Sequence, residues 1–103
     1  MNKQDISDLR SLNLHKAISK KLRVNNQLWD IPLKNLEKWK DKYSNLPYAL
    51  AEWKKIMIEC SKEEIFKILE GSSQRAKRLQ SSSPFTGILS ENERDKIFRK
   101  FKI

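Results

Sequence analysis

The residues of this chain best equipped for chemistry are basic. Arg75, Lys77 and Arg78 fall within four positions. On a helix Arg75 and Arg78 share nearly one face, with Lys77 to the side. The hydroxyl run Ser81-Ser82-Ser83 follows directly, and guanidinium and hydroxyl groups beside a helix end suit phosphate. A second cluster is Arg94, Arg99, Lys100 and Lys102. A third is Lys16, Lys20, Lys21 and Arg23, with Lys16 and Lys20 one helical turn apart. One expectation is therefore nucleic-acid contact through Lys16, Lys20, Lys21, Arg23, Arg75, Lys77, Arg78, Arg99 and Lys100. Against it, no aromatics interleave with these basic groups as a stacking platform requires, and no zinc-finger, leucine-zipper or convincing helix-turn-helix pattern occurs.

Catalysis has little to draw on. His15 is the only histidine and Cys60 the only cysteine, so no thiolate zinc site and no intrachain disulfide can form. His15 reads as a surface or partly packed helix residue. A Ser/His/Asp set would have to use it, and nothing nearby resembles a nucleophile elbow. The pairs Glu63–Glu64 and Glu91–Glu93 read as helix starts, where the helix dipole stabilises negative charge. There is no phosphate-cradling glycine loop. We expect no enzyme, no metal and no cofactor.

The net charge of +9, with charged residues at 34%, suits an anionic partner such as nucleic acid, anionic lipid or an acidic protein. It equally describes lysine-rich solvated helix faces. Charge is uneven, with a net of +4 over residues 1–34, zero over 35–64 and +5 over 65–103. If the two ends pack together they make one positive face. The apolar face of residues 16–23 is short and has no aromatic anchor, which argues against a membrane-surface role. No run approaches the ~18 apolar residues that span a bilayer. No signal-like run opens the chain, and cysteine usage fits a reducing compartment, so a cytoplasmic location is expected.

These groups must be positioned by helices. From about Asp5 to Arg23, Ile6, Leu9, Leu14, Ala17, Ile18 and Leu22 recur at mostly helical spacing. The mismatch among Leu9, Leu12 and Leu14 predicts a break near Ser11, with Ser11 capping the second piece. Asn25 and Asn26 read as a turn. Pro32 opens a helix whose apolar face is Leu33, Leu36, Trp39 and Tyr43. Asn45 and Pro47 mark a boundary. Ala49, Leu50, Trp53, Ile56, Met57 and Cys60 then form the clearest amphipathic helix. Ser61 to Glu64 and Ser90 to Glu93 are capping-box patterns. The first opens a helix with Ile65, Ile68 and Leu69 inward, closed by Gly71 as a left-handed cap. The second opens a helix carrying Ile97, Phe98 and Phe101. Ser72 or Ser73 caps a short helix from Gln74 to Gln80. Residues 85–89 form an apolar loop with Phe85 and Leu89 as core plugs, or a contact that a partner completes, and Gly87 permits an unusual backbone angle. With no strand-like alternation, the expectation is an all-α, compact single-domain bundle of five or six short helices over residues 1–103, with residues 1–5 loose.

The tail reads Arg78-Leu79-Gln80-Ser81-Ser82-Ser83-Pro84-Phe85-Thr86-Gly87-Ile88-Leu89-Ser90, then Glu93-Arg94. It resembles the end of a group of small bacterial helical proteins in which an Arg-rich helix leads into Ser-Pro-Phe, a glycine, an apolar pair and Glu-Arg. Ser11-Leu12-Asn13-Leu14-His15 resembles the first helix of that group, and Glu52-Trp53 a central one. The likeness spans about Ser11 to Phe101. Similar segments occur attached to antitoxin-type helix-turn-helix regulators, or alone in toxin–antitoxin-like gene pairs. The resemblance implies an antitoxin-like or accessory subunit that binds a partner protein, through an exposed apolar groove or the 78–94 region. It draws interest to Arg75, Arg78, Ser82, Phe85 and Arg94 and supplies no catalytic residues. Unlike the fused form, no separate DNA-reading domain is expected ahead of the shared region in these 103 residues.

Overall fold

Asn2 has extended backbone, and its side chain accepts the Asp5 N–H at 2.8 Å, which starts the first helix. In this computed structural model, which describes residues 2–42 and 46–101, that helix (α1, Lys3–Val24) runs without interruption for 22 residues. The expected break at Ser11 does not occur. The inward stripe changes character there: Gln4, Ser7, Asp8 and Ser11 precede Leu14, His15, Ile18 and Leu22 at the same helical period. Leu9 and Leu12 lie to one side of that stripe, beside Gly71 and Ser72. Polar residues on the inward face produced the broken apolar pattern, and the backbone is regular through it.

Asn25 caps a 3-10 turn (Asn26–Trp29) that leads directly into α2 (Asp30–Lys42). Pro32 and Leu36 are its buried residues, with Ile31 and Trp39 partly buried, whereas Leu33 is 44% exposed. The buried stripe is thus centred one position earlier than the expected Leu33–Leu36–Trp39 face. Tyr43, Asn45 and Lys102 lie outside the described residues.

Helix α3 (Tyr48–Glu59) buries Trp53 and Ile56, with Leu50, Met57 and Cys60 partly buried. Both capping boxes form. Ser61 opens α4 (Lys62–Leu69) and Ser90 opens α6 (Glu91–Lys100), each with reciprocal bonds to the glutamate three residues on. Between them Ser73, and not Ser72, caps α5 (Gln74–Gln80) by accepting the Ala76 N–H at 3.0 Å.

Gly71 is not a left-handed cap, since Gly87 is the glycine with positive φ, at 101°. A glycine is needed at 71 for space: a Cβ there would meet the Lys67 carbonyl oxygen at 2.5 Å. The end of α4 is closed instead by a side chain. The buried Gln80 amide donates to the carbonyl of Ile68 at 3.0 Å, one of the acceptors in the last turn of α4, and to that of Gly71 at 2.9 Å just past the helix.

Helix α1 packs against α4, α5 and α6, and α2 packs against α3. The first and last helices therefore do pack together. The core holds a relay of rings meeting edge-on: Phe66 to Trp29 at 5.5 Å, Trp29 to Phe85 at 6.4 Å, and Phe85 to Trp53 at 5.3 Å between centroids. Trp53 is fully buried, and its indole N–H donates to the Leu79 carbonyl at 2.8 Å. The fold is an all-α bundle of six helices, with no strand among the described residues. No helix there is long and apolar enough to cross a membrane.

A candidate binding cleft floored by His15

The segment after α5 is tied down at several points. Asn35 on α2 donates to the carbonyls of Pro84 at 2.8 Å and Thr86 at 2.9 Å. Lys21 on α1 donates to the Ile88 carbonyl at 3.0 Å and pairs with Glu93 at 2.8 Å. Phe85, Ile88 and Leu89 are all buried. Held in this way, residues 81–89 form one wall of a cleft of about 450 Å³. The opposite wall is the polar half of the inward α1 stripe, and Lys77 of α5 with Arg94 and Phe98 of α6 complete the lining.

His15 belongs to that lining and is only 5% exposed, which corrects its reading as a surface or partly packed residue. Its Nδ1 lies 2.7 Å from the Ser11 carbonyl oxygen. A carbonyl only accepts, so Nδ1 carries the hydrogen, and in the neutral ring Nε2 is then a bare acceptor. Nε2 is buried and has no hydrogen-bond partner. Burial pushes the imidazole pKa below its ordinary value, against the opposing pull of the Ser11 carbonyl, so the neutral ring is favoured near pH 7. An unpaired buried acceptor costs about 1–3 kcal/mol.

Two guanidinium groups converge at the same cleft. The Arg10 carbon lies 5.1 Å and the Arg94 carbon 5.5 Å from the centre of the Phe98 ring. Among the described residues neither has a carboxylate partner within 4 Å. Three of the other arginines are neutralised locally, and Arg99 is exposed. Arg23 pairs with Glu70 at 2.8 Å and stacks 3.9 Å over Phe66. Arg78 grips Glu52 with two bonds of 2.6 and 3.2 Å, and Arg75 approaches the same carboxylate at 3.7 Å. The Arg78 bond holds the Glu52 carboxyl below its usual pKa range, and bonds from Ser19 and then Arg23 do the same for Glu70. The one acid lining the cleft, Asp8, accepts from Gln4 at 2.9 Å.

The residues singled out from the sequence are dispersed by this arrangement. Arg94 and Lys77 line the cleft, and Phe85 forms part of its floor while remaining 1% exposed, so it offers a partner almost no surface. Arg75 and Arg78 sit elsewhere, on α3 through Glu52. Ser82 is half-buried beside the lining residues Ser81 and Ser83. Of the basic set, Lys21, Arg23, Arg75 and Arg78 are engaged by internal carboxylates, and Lys16, Lys20, Arg99 and Lys100 are exposed. Sequence reasoning passed over Arg10, His15, Ser7, Ser11 and Phe98 as site residues. The signal that marks them is Gln4, Ser7, Asp8 and Ser11 at helical spacing, a polar stripe in register with the apolar stripe that continues it. No group of three or more His, Cys, Asp or Glu side chains among the described residues is arranged to hold a metal. No family model matches the chain, and no curated protein and no solved structure gives a significant match.

Proposed function

We propose that this chain is a non-enzymatic binding protein that receives an acidic segment of a partner protein in the cleft between α1 and the α5–α6 region. The observation that carries this reading is the pair Arg10 and Arg94. They share one aromatic ring and lack a carboxylate, in a protein that neutralises Arg23, Arg75 and Arg78 internally. Positive groups without internal partners along one cleft favour an incoming anion, and the planar guanidinium fork matches a carboxylate in two-bond geometry. The cleft's volume and mixed lining fall in the range of recognition pockets. The resemblance of residues 78–94 to antitoxin-type proteins points to the same region, since residues 81–89 and Arg94 line the cleft, and it makes the partner the other member of such a gene pair.

The test is purification of tagged protein from its host at low and high salt, beside a variant carrying both Arg10→Gln and Arg94→Gln. A stoichiometric protein retained by the parent at high salt and lost by the double variant supports the reading. Recovery of nucleic acid that leaves steeply as salt rises, with no such protein, overturns it in favour of contact through the exposed Lys16, Lys20, Arg99 and Lys100.

A further inference from the structure

The first buried residue of α1 is a histidine. His15, Ile18, Ser19 and Leu22 are the buried side chains of that helix, and residues 3–14 contribute none. The first half of the helix is held by half-buried contacts: Leu9 and Leu12 beside Gly71, Leu14 against the core, and Arg10 against the Phe98 ring. Segments with few buried apolar contacts open locally far more readily than the whole fold unfolds.

A proton on His15 has no place in the closed structure. With the Nδ1 hydrogen committed to the Ser11 carbonyl, a second proton can go only to Nε2. That atom is sealed from solvent and meets no acceptor. The surrounding charges oppose an imidazolium: Arg10 on α1, Lys77 on α5 and Arg94 on α6 line the same cleft. Asp8 on α1 is bonded by Gln4. Glu70, just past α4, accepts from Ser19, one turn beyond His15, and is shared with Arg23. The cleft-lining residues of the 81–89 segment carry no charge. Protonation therefore requires His15 to leave its site, and the weakly held first half of α1 is the part of the fold that can carry it out.

We infer that His15 is an acid-operated latch: uptake of a proton at Nε2 releases residues 3–15 from α5 and α6 and dismantles the cleft. Arg10 leaves with the released half while Arg94 stays on α6, so under the proposed function the partner is let go in acid. That consequence rests on the partner reading, and the latch itself does not. Burial holds the folded imidazole below its ordinary value of 6.5, so the released state takes the proton more readily. Opening is accordingly unchanged above 6.5 and grows as pH falls below it, by up to about tenfold per pH unit, until the folded imidazole itself titrates.

His15 is the only histidine in the chain, so a response between pH 7.5 and 5.5 can be assigned to it by substitution. The experiment is backbone hydrogen exchange of the full chain followed by mass spectrometry, with protection referenced at each pH to the unstructured chain. The protection of residues 3–15 is expected to fall about tenfold from pH 7.5 to 5.5, while that of α3 and α4 stays constant. His15→Gln and His15→Phe, which cannot titrate in this window, are expected to show constant protection in both regions. Constant protection of residues 3–15 in the parent overturns the latch. An equal fall in α3 and α4 also overturns it, because the whole fold is then opening. So does a fall that survives in both variants. No partner enters the experiment, so each of these failures leaves the partner reading intact. Circular dichroism of each variant at pH 7.5 confirms that it is folded.

Discussion

Replacing Phe85 by alanine removes the ring at the centre of the aromatic relay. The side chain is 1% exposed and meets Trp29 and Trp53 edge-on at 6.4 and 5.3 Å. A buried Phe→Ala change costs about 3–5 kcal/mol. Two edge-to-face contacts, each worth roughly 0.5–1.5 kcal/mol beyond the area buried, place this site in the upper half of that range, near 4 kcal/mol. A domain of this size has a total stability of order 5–15 kcal/mol, so the variant loses a large fraction of it. At roughly 4–8 °C per kcal/mol for a domain near 100 residues, the melting temperature falls by about 16–32 °C. Urea unfolding followed by far-ultraviolet circular dichroism measures the loss directly. Phe85→Leu, which keeps most of the volume, should cost below about 1.5 kcal/mol and should leave partner binding intact. A loss under about 1 kcal/mol for Phe85→Ala would refute the core role of the 85–89 loop and restore Phe85 as a contact completed by a partner.

Gly71→Ala is expected to destabilise by about 1–3 kcal/mol through overpacking, because the new Cβ meets a backbone oxygen at 2.5 Å. Gly87→Ala has room, its nearest atom being Ile31 Cγ2 at 3.8 Å, and should cost about 1–2 kcal/mol from its positive φ alone; thermal melts of both variants check the pair. Stability should fall as pH drops below 6.5, because the unfolded histidine takes a proton that buried His15 resists, and denaturation curves of His15→Phe should lack that arm. Glu93, bonded by Lys21 and the Ser90 cap, has its pKa lowered from 4.5 to about 2. Its contribution is present above 4.5 and disappears as pH falls toward 2, a window that Glu93→Gln should erase in an acid titration.

The helix starts were legible because a cap is written in adjacent residues. Ser61–Glu64, Ser90–Glu93 and Ser73 each announce a local hydrogen-bond pattern that needs no distant partner. The stop at Gly71 was misread because two different demands select glycine. The sequence records the absence of a side chain, but only the path of the chain tells positive φ from lack of space. Gln80 was invisible as a helix stop, since it closes α4 from nine or more positions away. The cleft was missed for a related reason: an apolar periodicity search discards the polar half of the α1 stripe, and the convergence of Arg10 with Arg94 is a tertiary event between residues 84 positions apart. The exposed basic residues were readable as charge, but their internal partners Glu52, Glu70 and Glu93 were not.

The packing of α1 against α4, α5 and α6 has a consequence for biosynthesis. Among these helices α1 leaves the ribosome first, yet α4, α5 and α6, which pack on it, are made dozens of residues later. Its buried stripe must wait in water, or against a chaperone, until residues 62–100 have emerged. At about 5–20 residues per second that wait lasts several seconds. The polar run Gln4–Ser7–Asp8–Ser11 at the head of the helix shortens the sticky surface that α1 exposes during that interval, so the stripe that builds the cleft in the finished protein also protects the nascent one.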